Sequence, residues 1–298
     1  MKILLKVFRW VLSLAIVILL GQSAAAAKTI TLGNIGEDPA EDIKRTLPLA
    51  AYLSRQLAAE GIIQGKVFVA KSMNEMASML RDGKVDLTFD SYARTLALNR
   101  LTGSKAMLRR WKKGVAEYNG VFFARSDSRI HRIEDLRGET LALDEEFSTV
   151  GHLLPKFMII EKRLKLVPPN VPVPADGVGY IYAYVDVNTL LWVMQGRVAA
   201  GAMDSQTYAK LSVKHGDHLR IIATTPSVPR HVVSTRPGLP QALLARIMEI
   251  LLRMDRSEEG KKVLEQFEQT SKFDELVEQN PAFVKKIEKL IETEMKFQ

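Results

Sequence analysis

The chain has 298 residues, of which 47% are hydrophobic and 26% charged, and a formal net charge of +8. This is ordinary globular composition, sufficient for one large or two medium α/β domains, and it excludes a disordered or fibrous protein. Because the chain contains no cysteine, disulfides, thiol nucleophiles and thiolate metal sites are excluded as well.

The first 27 residues have the pattern of a secretory signal peptide. Three basic residues precede a short apolar segment at 10–20, and three alanines at 25–27 form a small-residue cleavage site. An uncleaved membrane anchor is the alternative, although the apolar segment falls short of the about 20 residues needed to span a bilayer. We therefore expect a cleaved protein in the periplasm, and export argues against nucleic acid as a partner.

The chain after residue 27 alternates short β-like runs with amphipathic helices. In order, these are the strand KTITLGNI, a helix at 46–61, the strand KVFVA, the helix MNEMASMLRDG, the strand VDLTFD and the helix SYARTLALNRLTG. Thr46 is the expected cap of the first helix, with Pro48 in its first turn and Gly61 as its stop. This order predicts a mostly parallel sheet with helices on both faces.

A second series of elements begins after YNGVFFARSDS. It comprises the strand TLALD, the helix TVGHLLPKFMIIEKRL, the strand VGYIYAY, the helix VNTLLWVMQGR, the strand AAGAMD and the helix SQTYAKLSV. Two similar α/β units in succession predict two lobes. We expect the tail from residue 239 onward to be helical and the basic run RRWKKG at 109–114 to be solvated surface.

The junction between TLALD and the next helix has the pattern of an anion site. Ligands bind beyond the carboxyl ends of parallel strands, where Ser148, Thr149, Val150 and Gly151 lie. The first N–H groups of a helix are unpaired and partly positive, the two hydroxyls add donors, and the glycine permits close approach. The pattern thus predicts oxyanion binding. The alternative is that Ser148 or Thr149 only caps the helix.

Two further candidates come from other strand ends. Asp204 follows the strand AAGAMD and is either a helix cap or an acceptor in the cleft. Tyr180, Tyr182 and Tyr184 alternate along one strand face, so we expect core packing for this set. Tyr184, nearest the strand end, is the best cleft candidate among them.

Five segments of the chain have the sequence and order of a family pattern: LPLAAYLSRQL, KVDLTFDSYARTLAL, IEDLRGETLALDEEFSTVGHLLPKFMI, VMQGRVAAGAMDSQTYAKL and VPRHVVSTRPGLP. Together they resemble the PhnD family of periplasmic phosphonate-, phosphite- and phosphate-binding proteins of ABC transporters. The resemblance implies the α/β, two-lobed type II periplasmic-binding-protein fold, in which each lobe is a mostly parallel sheet flanked by helices. The chain would cross between lobes twice, near 123–128 and 224–228.

These crossings give the expected organisation of the whole chain. The signal peptide covers 1–27, the first part of lobe one 28–124, lobe two 125–224, and the return to lobe one with the C-terminal helices 225–298.

The resemblance also implies which residues face the cleft. The family's hydroxyl-rich loop corresponds to the Ser148 junction with one hydroxyl missing, and a lobe-one turn corresponds to Asp90, Ser91 and Tyr92. Asp186 stands where many members carry a ligand-contacting histidine. His231 lies near a position where an aspartate of the family can contact ligand.

The two aspartates bear on the ligand's charge. A carboxylate repels a doubly charged phosphate, so Asp90 or Asp186 in the cleft would favour a protonated ligand or one that carries an amine. An amino-phosphonate or another zwitterion would fit. Alternatively, Asp90 and Asp186 cap the helices that begin at Ser91 and Val187 and do not touch ligand.

The expected function is capture of a small oxyanion of the phosphonate, phosphite or phosphate class between the two lobes, by a monomeric periplasmic protein that serves a membrane ABC permease. The expected partner is thus a small anionic or zwitterionic ligand. The alternative is a ligand-sensing subunit of a membrane signalling protein, with a ligand other than a phosphorus oxyanion. The sequence has no GxSxG, GxGxxG, P-loop or HExxH motif, so we expect no enzyme activity, cofactor or metal. A serine-type hydrolase with Ser148 and His152 is a distant alternative.

Overall fold

The computed structural model describes residues 28–213 and 218–295, so the expected signal peptide lies outside the described residues. The strands of the described chain are mostly short and buried. In chain order they are β1 (Lys28–Ile35), β2 (Ile62–Ala70), β3 (Leu87–Asp90), β4 (Lys105–Lys112), β5 (Glu117–Tyr118), β6 (Gly120–Arg125), β7 (Thr140–Leu143), β8 (Lys165–Val167), β9 (Gly177–Tyr182), β10 (Ala200–Asp204), β11 (Leu219–Thr224), β12 (Val228–Pro229), β13 (His231–Thr235) and β14 (Thr270–Glu275).

Helices connect most of these strands, as the alternating sequence pattern predicts. They are α1 (Pro39–Gln56), α2 (Met73–Arg81), α3 (Tyr92–Thr102), α4 (Leu154–Glu161), α5 (Asp186–Met194), α6 (Ser205–Ser212), α7 (Gln241–Arg253), α8 (Glu258–Gln266) and α9 (Pro281–Met295). A π-helical turn, Thr149–Leu153, leads into α4. Among the described residues, none of these helices combines the length and apolar character needed to cross a bilayer.

The strands form two six-stranded sheets. The first has the order β14-β4-β13-β3-β1-β2 and the second the order β11-β6-β10-β7-β9-β8. In the first sheet β3, β1 and β2 are parallel to one another, and in the second sheet β10, β7, β9 and β8 are parallel to one another. The other neighbouring strands of both sheets pair antiparallel. Helices cover these sheets, which confirms the expected two-lobed α/β fold of the type II periplasmic binding proteins.

The chain passes between the sheets twice, and at these passages β5 and β12 pair as a small antiparallel sheet. Strand β6 was expected in lobe one, within 28–124. Instead it lies between β10 and β11 of the second sheet. Because β6 is buried along almost its whole length, it fits the middle of a sheet better than a crossing segment. The first passage therefore precedes β6.

The first sheet has an apolar core on each face. One core includes Leu53 of α1, Ile247 of α7 and Leu264 of α8. The other joins α2, α3 and α9 with Val150 and Leu153 from the turn after β7 of the second sheet. The lobes thus share one hydrophobic core, and this core lies behind the turn at Ser148.

Three local expectations were wrong. Helix α1 begins at Pro39, with Asp38 accepting a hydrogen bond from the Glu41 N–H (3.1 Å), because Asp followed by Pro is a stronger start signal than Thr46. The basic run at 109–114 largely belongs to strand β4, where Arg110 is 1% exposed. The C-terminal tail contains strand β14 at the edge of the first sheet.

Candidate ligand-binding site

A polar cavity of about 350 Å³, hereafter the cleft, lies between the two sheets. The wall from the first sheet contains the ends of β1, β3 and β4 and parts of α1 and α3. The wall from the second sheet contains the turn after β7, the start of α5 and the end of β10. Carboxyl ends of parallel strands thus face the cleft from both lobes, which is where α/β sheets bind ligands.

Cationic side chains line the first-sheet wall and the passage between lobes: Arg45, Arg94, Lys112, Lys113 and Arg230. Most of them already have acidic partners. An Arg94 nitrogen lies 2.8 Å from Glu145 and another lies 3.6 Å from Asp90.

Two more of the cations are paired in the same way. Lys112 Nζ lies 2.9 Å from Glu268, and Arg230 pairs with Asp204. The cations of the cleft are therefore largely neutralised by the protein itself.

The turn at Ser148 makes its hydrogen bonds within the protein. The Ser148 hydroxyl accepts from the Gly151 N–H (3.3 Å), as the capping alternative predicts. The buried Thr149 hydroxyl accepts from the Ala93 N–H at the start of α3 (2.9 Å), so it caps a helix of the other lobe. Val150 lines the cleft. Gly151 does not, and a Cβ there would lie 2.6 Å from Asp144 Cβ, so the glycine permits approach of this aspartate instead.

Two carboxyl groups on the second-sheet wall have no ion-pair partner among the described residues: Asp144 and Asp186. Burial, followed by the charge of Asp186, raises the pKa of Asp144 to about 6 despite hydrogen bonds from Ser148 and the backbone. Burial and the charge of Asp204 raise the pKa of Asp186. Although Asp186 begins α5, its side chain makes no capping hydrogen bond. Burial thus disfavours ionisation of both carboxyl groups, and the charges of Lys113 and Arg230 offset this only in part for Asp186.

Asp204 has both of the roles that the sequence left open. It accepts from the Thr207 N–H (2.9 Å) as the cap of α6, and it lines the cleft in its pair with Arg230. Within 28–213 and 218–295, no group of three or more acidic or histidine side chains is arranged to hold a metal ion.

The turn after β3 places two of its three candidates in the cleft. Asp90 and Ser91 line it, and Asp90 accepts from the Ser91 N–H (2.9 Å). Burial raises the pKa of Asp90, although the Arg94 charge acts in the opposite direction. Tyr92 instead packs in the shared core at 6% exposure, because the first turn of α3 directs it away from the cleft.

His231 lines the cleft, whereas Tyr184 does not. Burial and the charges of Lys112 and Arg110 hold the pKa of His231 well below its usual range, and its Nδ1 is buried without a hydrogen-bond partner. The imidazole is therefore neutral. Tyr184 lies beyond the end of β9, with φ of 59°, and its side chain is 64% exposed. This left-handed turn directs the ring outward, against Tyr182.

Ser148 and His152 do not form the pair that a hydrolase would need. His152 is fully buried, and its Nδ1 accepts from the Phe147 N–H (3.1 Å). Its Nε2 faces the Tyr182 hydroxyl (3.2 Å) and a Glu294 oxygen (3.5 Å). The histidine thus supports the turn from behind, with its proton on Nε2.

Sequence patterns missed Asp144, Arg94, Lys112, Arg230 and Glu268, which all line the cleft. The spacing of Arg94 could have predicted its position, since it lies one helical turn after Asp90 and can pair with it. Lys112 was assigned to a surface run. Glu268 follows α8 in a left-handed conformation that no local pattern indicates.

Comparison with known proteins assigns the chain to a family. The family model for the periplasmic substrate-binding protein of phosphonate ABC transporters matches residues 36–280. Among solved structures, XAC2383 from Xanthomonas citri bound to chloride is 26% identical with a TM-score of 0.82, covering 91% of this chain and 99% of that one.

Two further structures share the fold. The ATP complex of XAC2383 is 24% identical with a TM-score of 0.79, covering 90% of this chain and 97% of that one. PhnD1 from Prochlorococcus marinus with methylphosphonate is 16% identical with a TM-score of 0.64, covering 91% and 99%. The match over residues 36–280 shows that this chain belongs to the phosphonate-binding family of periplasmic substrate-binding proteins of ABC transporters.

Proposed function

We propose that this protein is exported through a cleaved signal peptide and captures a small zwitterionic phosphonate in the cleft for an ABC importer. The observation that carries the proposal is the division of charge in the cleft. Cations, most of them paired with acidic side chains, line the first-sheet wall and the passage between lobes, whereas Asp144 and Asp186, which have no ion-pair partner among the described residues, line the opposite wall.

The cationic side of the cleft suits the phosphonate group. Arg94, Lys112 and Arg230 supply several N–H donors, and charge-assisted hydrogen bonds to phosphonate oxygens are stronger than neutral ones. The neutral His231 adds a ring nitrogen, Nδ1, that has no partner in the described chain. This assignment moves the anion away from the Ser148 turn, where the Thr149 hydroxyl is already used and Asp144 would repel it.

The acidic side suits an amine. A bound ammonium group would give Asp144 and Asp186 an ion-pair partner, which neither has among the described residues, and it would favour their ionised forms. A volume of about 350 Å³ is sufficient for a ligand of a few heavy atoms. The methylphosphonate complex of the Prochlorococcus relative supports the phosphonate class.

The proposal is tested by thermal unfolding of protein purified from the periplasm and freed of bound ligand by reversible unfolding. The probes are phosphate, phosphite, sulfate, methylphosphonate, 2-aminoethylphosphonate, ATP and glycine. A ligand at about 100 times its Kd should stabilise the native state by about 2.7 kcal/mol. We expect the largest shift with 2-aminoethylphosphonate. If none of the phosphonates shifts the transition, the proposal is wrong.

A matched pair of variants connects any shift to the cleft. Arg230→Gln removes a cation that lines the cleft, whereas Arg109→Gln removes a cation of β4 that pairs with Asp274 away from it. We expect the ligand-induced shift, measured against each variant's own unfolding temperature, to be reduced in Arg230→Gln and retained in Arg109→Gln.

A further inference from the structure

The Glu268 carboxylate lies among three cationic side chains at the wall of the cleft. Its oxygens are 2.9 Å from Lys112 Nζ, 3.0 Å from an Arg110 nitrogen and 3.7 Å from an Arg45 nitrogen. Burial opposes ionisation of Glu268, but Lys112 and Arg110 outweigh it and lower the pKa to about 2. A carboxylate among convergent guanidinium and ammonium donors reproduces the environment in which proteins bind free oxyanions.

The backbone that presents this carboxylate adopts an unfavourable conformation. Glu268 and the following Gln269 have φ of 52° and 53°, in the left-handed region that residues with a Cβ seldom adopt. Such conformations persist where the surroundings hold them in place. Here Arg110, which is 1% exposed, donates to the Phe267 carbonyl (2.9 Å) and to Glu268, so it anchors the segment from inside the lobe.

The position of Glu268 distinguishes it from a purely structural ion-pair partner. Asp274 on β14 is the natural comparison, since it accepts two hydrogen bonds from Arg109 (both 2.9 Å) and one from Trp111 (2.8 Å). Asp274 lies away from the cleft. Glu268 lines the cleft together with Lys112 and Arg45, so two of its three cationic partners also face the space where a ligand would lie.

We propose, on the basis of the function proposed above, that the Glu268 carboxylate competes with the anionic group of the ligand for the same cationic side chains. Its carboxylate neutralises the cation cluster formed by Arg45, Arg110 and Lys112 and repels a second anion there. Simple oxyanions therefore bind weakly. Glu268 weakens the binding of every anionic group alike, whereas a ligand that also brings an amine to Asp144 and Asp186 gains a contact that a simple oxyanion lacks, so only such a ligand overcomes the competition.

The test is the binding of inorganic sulfate to wild type and to Glu268→Gln, measured by titration calorimetry at fixed ionic strength. Glutamine keeps the size of the side chain and removes its charge. We expect sulfate to bind Glu268→Gln at least about tenfold more tightly than wild type, because the repulsion is gone and the cations lack a partner. Millimolar sulfate should also raise the unfolding temperature of this variant far more than that of wild type.

Asp274→Asn is the matched control. It removes a carboxylate that pairs with an arginine outside the cleft, and we expect its sulfate affinity to equal that of wild type. Glu268→Asp retains the charge but moves it away from the cations by the length of one methylene group. We expect its sulfate affinity to lie between those of wild type and Glu268→Gln. This variant also keeps the test decisive if Glu268→Gln does not fold.

Equal sulfate affinity in wild type and in both Glu268 variants would overturn the inference. The function proposed above is tested separately, because sulfate reports on the cation cluster without the natural ligand. If wild type binds phosphonates while the Glu268 variants gain no sulfate affinity, only the role of Glu268 is wrong. If the variants gain sulfate affinity while wild type binds no phosphonate, the role of Glu268 stands and the proposed function is wrong.

Discussion

Asp144 lies beside the turn at Ser148, where the sequence predicts an anionic ligand. Its carboxyl group approaches Gly151 and accepts a hydrogen bond from Ser148. A residue of the protein thus provides negative charge at the place where the helix start would attract it. The ionised form is disfavoured by burial and by Asp186, which raise its pKa to about 6.

This raised pKa gives a prediction about stability. Because the pKa of Asp144 is higher in the folded than in the unfolded chain, the folded state binds more protons between about pH 4 and pH 6. The contribution of Asp144 to folding stability therefore falls as the pH rises through this window and stays unfavourable above it. Asp144→Asn should be more stable than wild type at pH 7, by on the order of 1 kcal/mol after solvent screening.

Urea unfolding at several pH values measures this difference. The advantage of Asp144→Asn should shrink on acidification from pH 6 to pH 4 and disappear below about pH 3, where the aspartate is protonated in both states. An advantage that is the same at pH 4 and pH 7 would show that ionisation of Asp144 is not its cause.

Three acidic residues that line the cleft are candidates from the sequence, whereas Asp144, Glu268 and the cations are not. Asp90 and Asp204 end parallel strands and Asp186 begins the helix after β9, and the carboxyl ends of parallel strands are where ligands bind in such sheets. Lys112 ends the antiparallel strand β4, and Glu268 reaches the cleft from a loop after α8. The positions of these two side chains depend on contacts between segments far apart in the sequence, which no local spacing of residues indicates.

The π-helical turn Thr149–Leu153 joins the lobes through one hydrogen bond between buried groups. Thr149→Val keeps the shape of the side chain but leaves the buried Ala93 N–H without its acceptor. We expect the free energy of unfolding to fall by about 1–3 kcal/mol. Thr149→Ser is the control, since it retains the hydroxyl. A Thr149→Val protein that is no less stable than Thr149→Ser would contradict the role assigned to this hydrogen bond.

Helix α9 packs against both lobes. Its Glu292 pairs with Arg100 of α3 in the first lobe (2.8 Å), and its Glu294 pairs with Lys156 of α4 in the second (2.7 Å). Lys156 is 1% exposed and lies over the Tyr180 ring at 3.8 Å. The helix therefore links the lobes on the side away from the cleft.

Removal of the Glu294 charge should destabilise this link. Glu294→Gln leaves the buried Lys156 ammonium without a counter-charge, and we expect a loss of about 3 kcal/mol in unfolding free energy. The double variant Lys156→Met, Glu294→Gln removes both charges and should lose less than Glu294→Gln alone. Denaturant unfolding of the three proteins measures the difference. A double variant at least as unstable as the single one would contradict the role assigned to the pair.

Elements with local start and stop signals were predicted well from the sequence. Elements that form only by pairing with a distant strand were not. Strand β1 and helix α2 have the expected positions because alternation, a serine cap and apolar spacing act locally. Strand β14 escaped prediction because TSKFDE lacks β-branched alternation and is held by its partner β4. Helix α1 begins earlier than expected because Asp38 caps it and Pro39 is its first residue.

At the scale of the molecule, protein contacts already bridge the cleft. Arg94 of the first lobe pairs with Glu145 of the second (2.8 Å), and Thr149 binds the start of α3. A ligand that draws the lobes together would add to these contacts, as expected for closure about a hinge. The alternation of strands and helices predicted two lobes, but the charge division of the cleft depends on how the lobes face each other.

A zwitterion bound in the cleft as proposed above would have its amine at Asp144 and Asp186. Calorimetric titration of 2-aminoethylphosphonate and methylphosphonate into wild type and the double variant Asp144→Asn, Asp186→Asn tests this placement. We expect wild type to prefer the amine-bearing compound by at least about tenfold, and the double variant to lose this preference. Equal affinities in wild type, or a preference unchanged in the double variant, would show that these aspartates do not hold the amine.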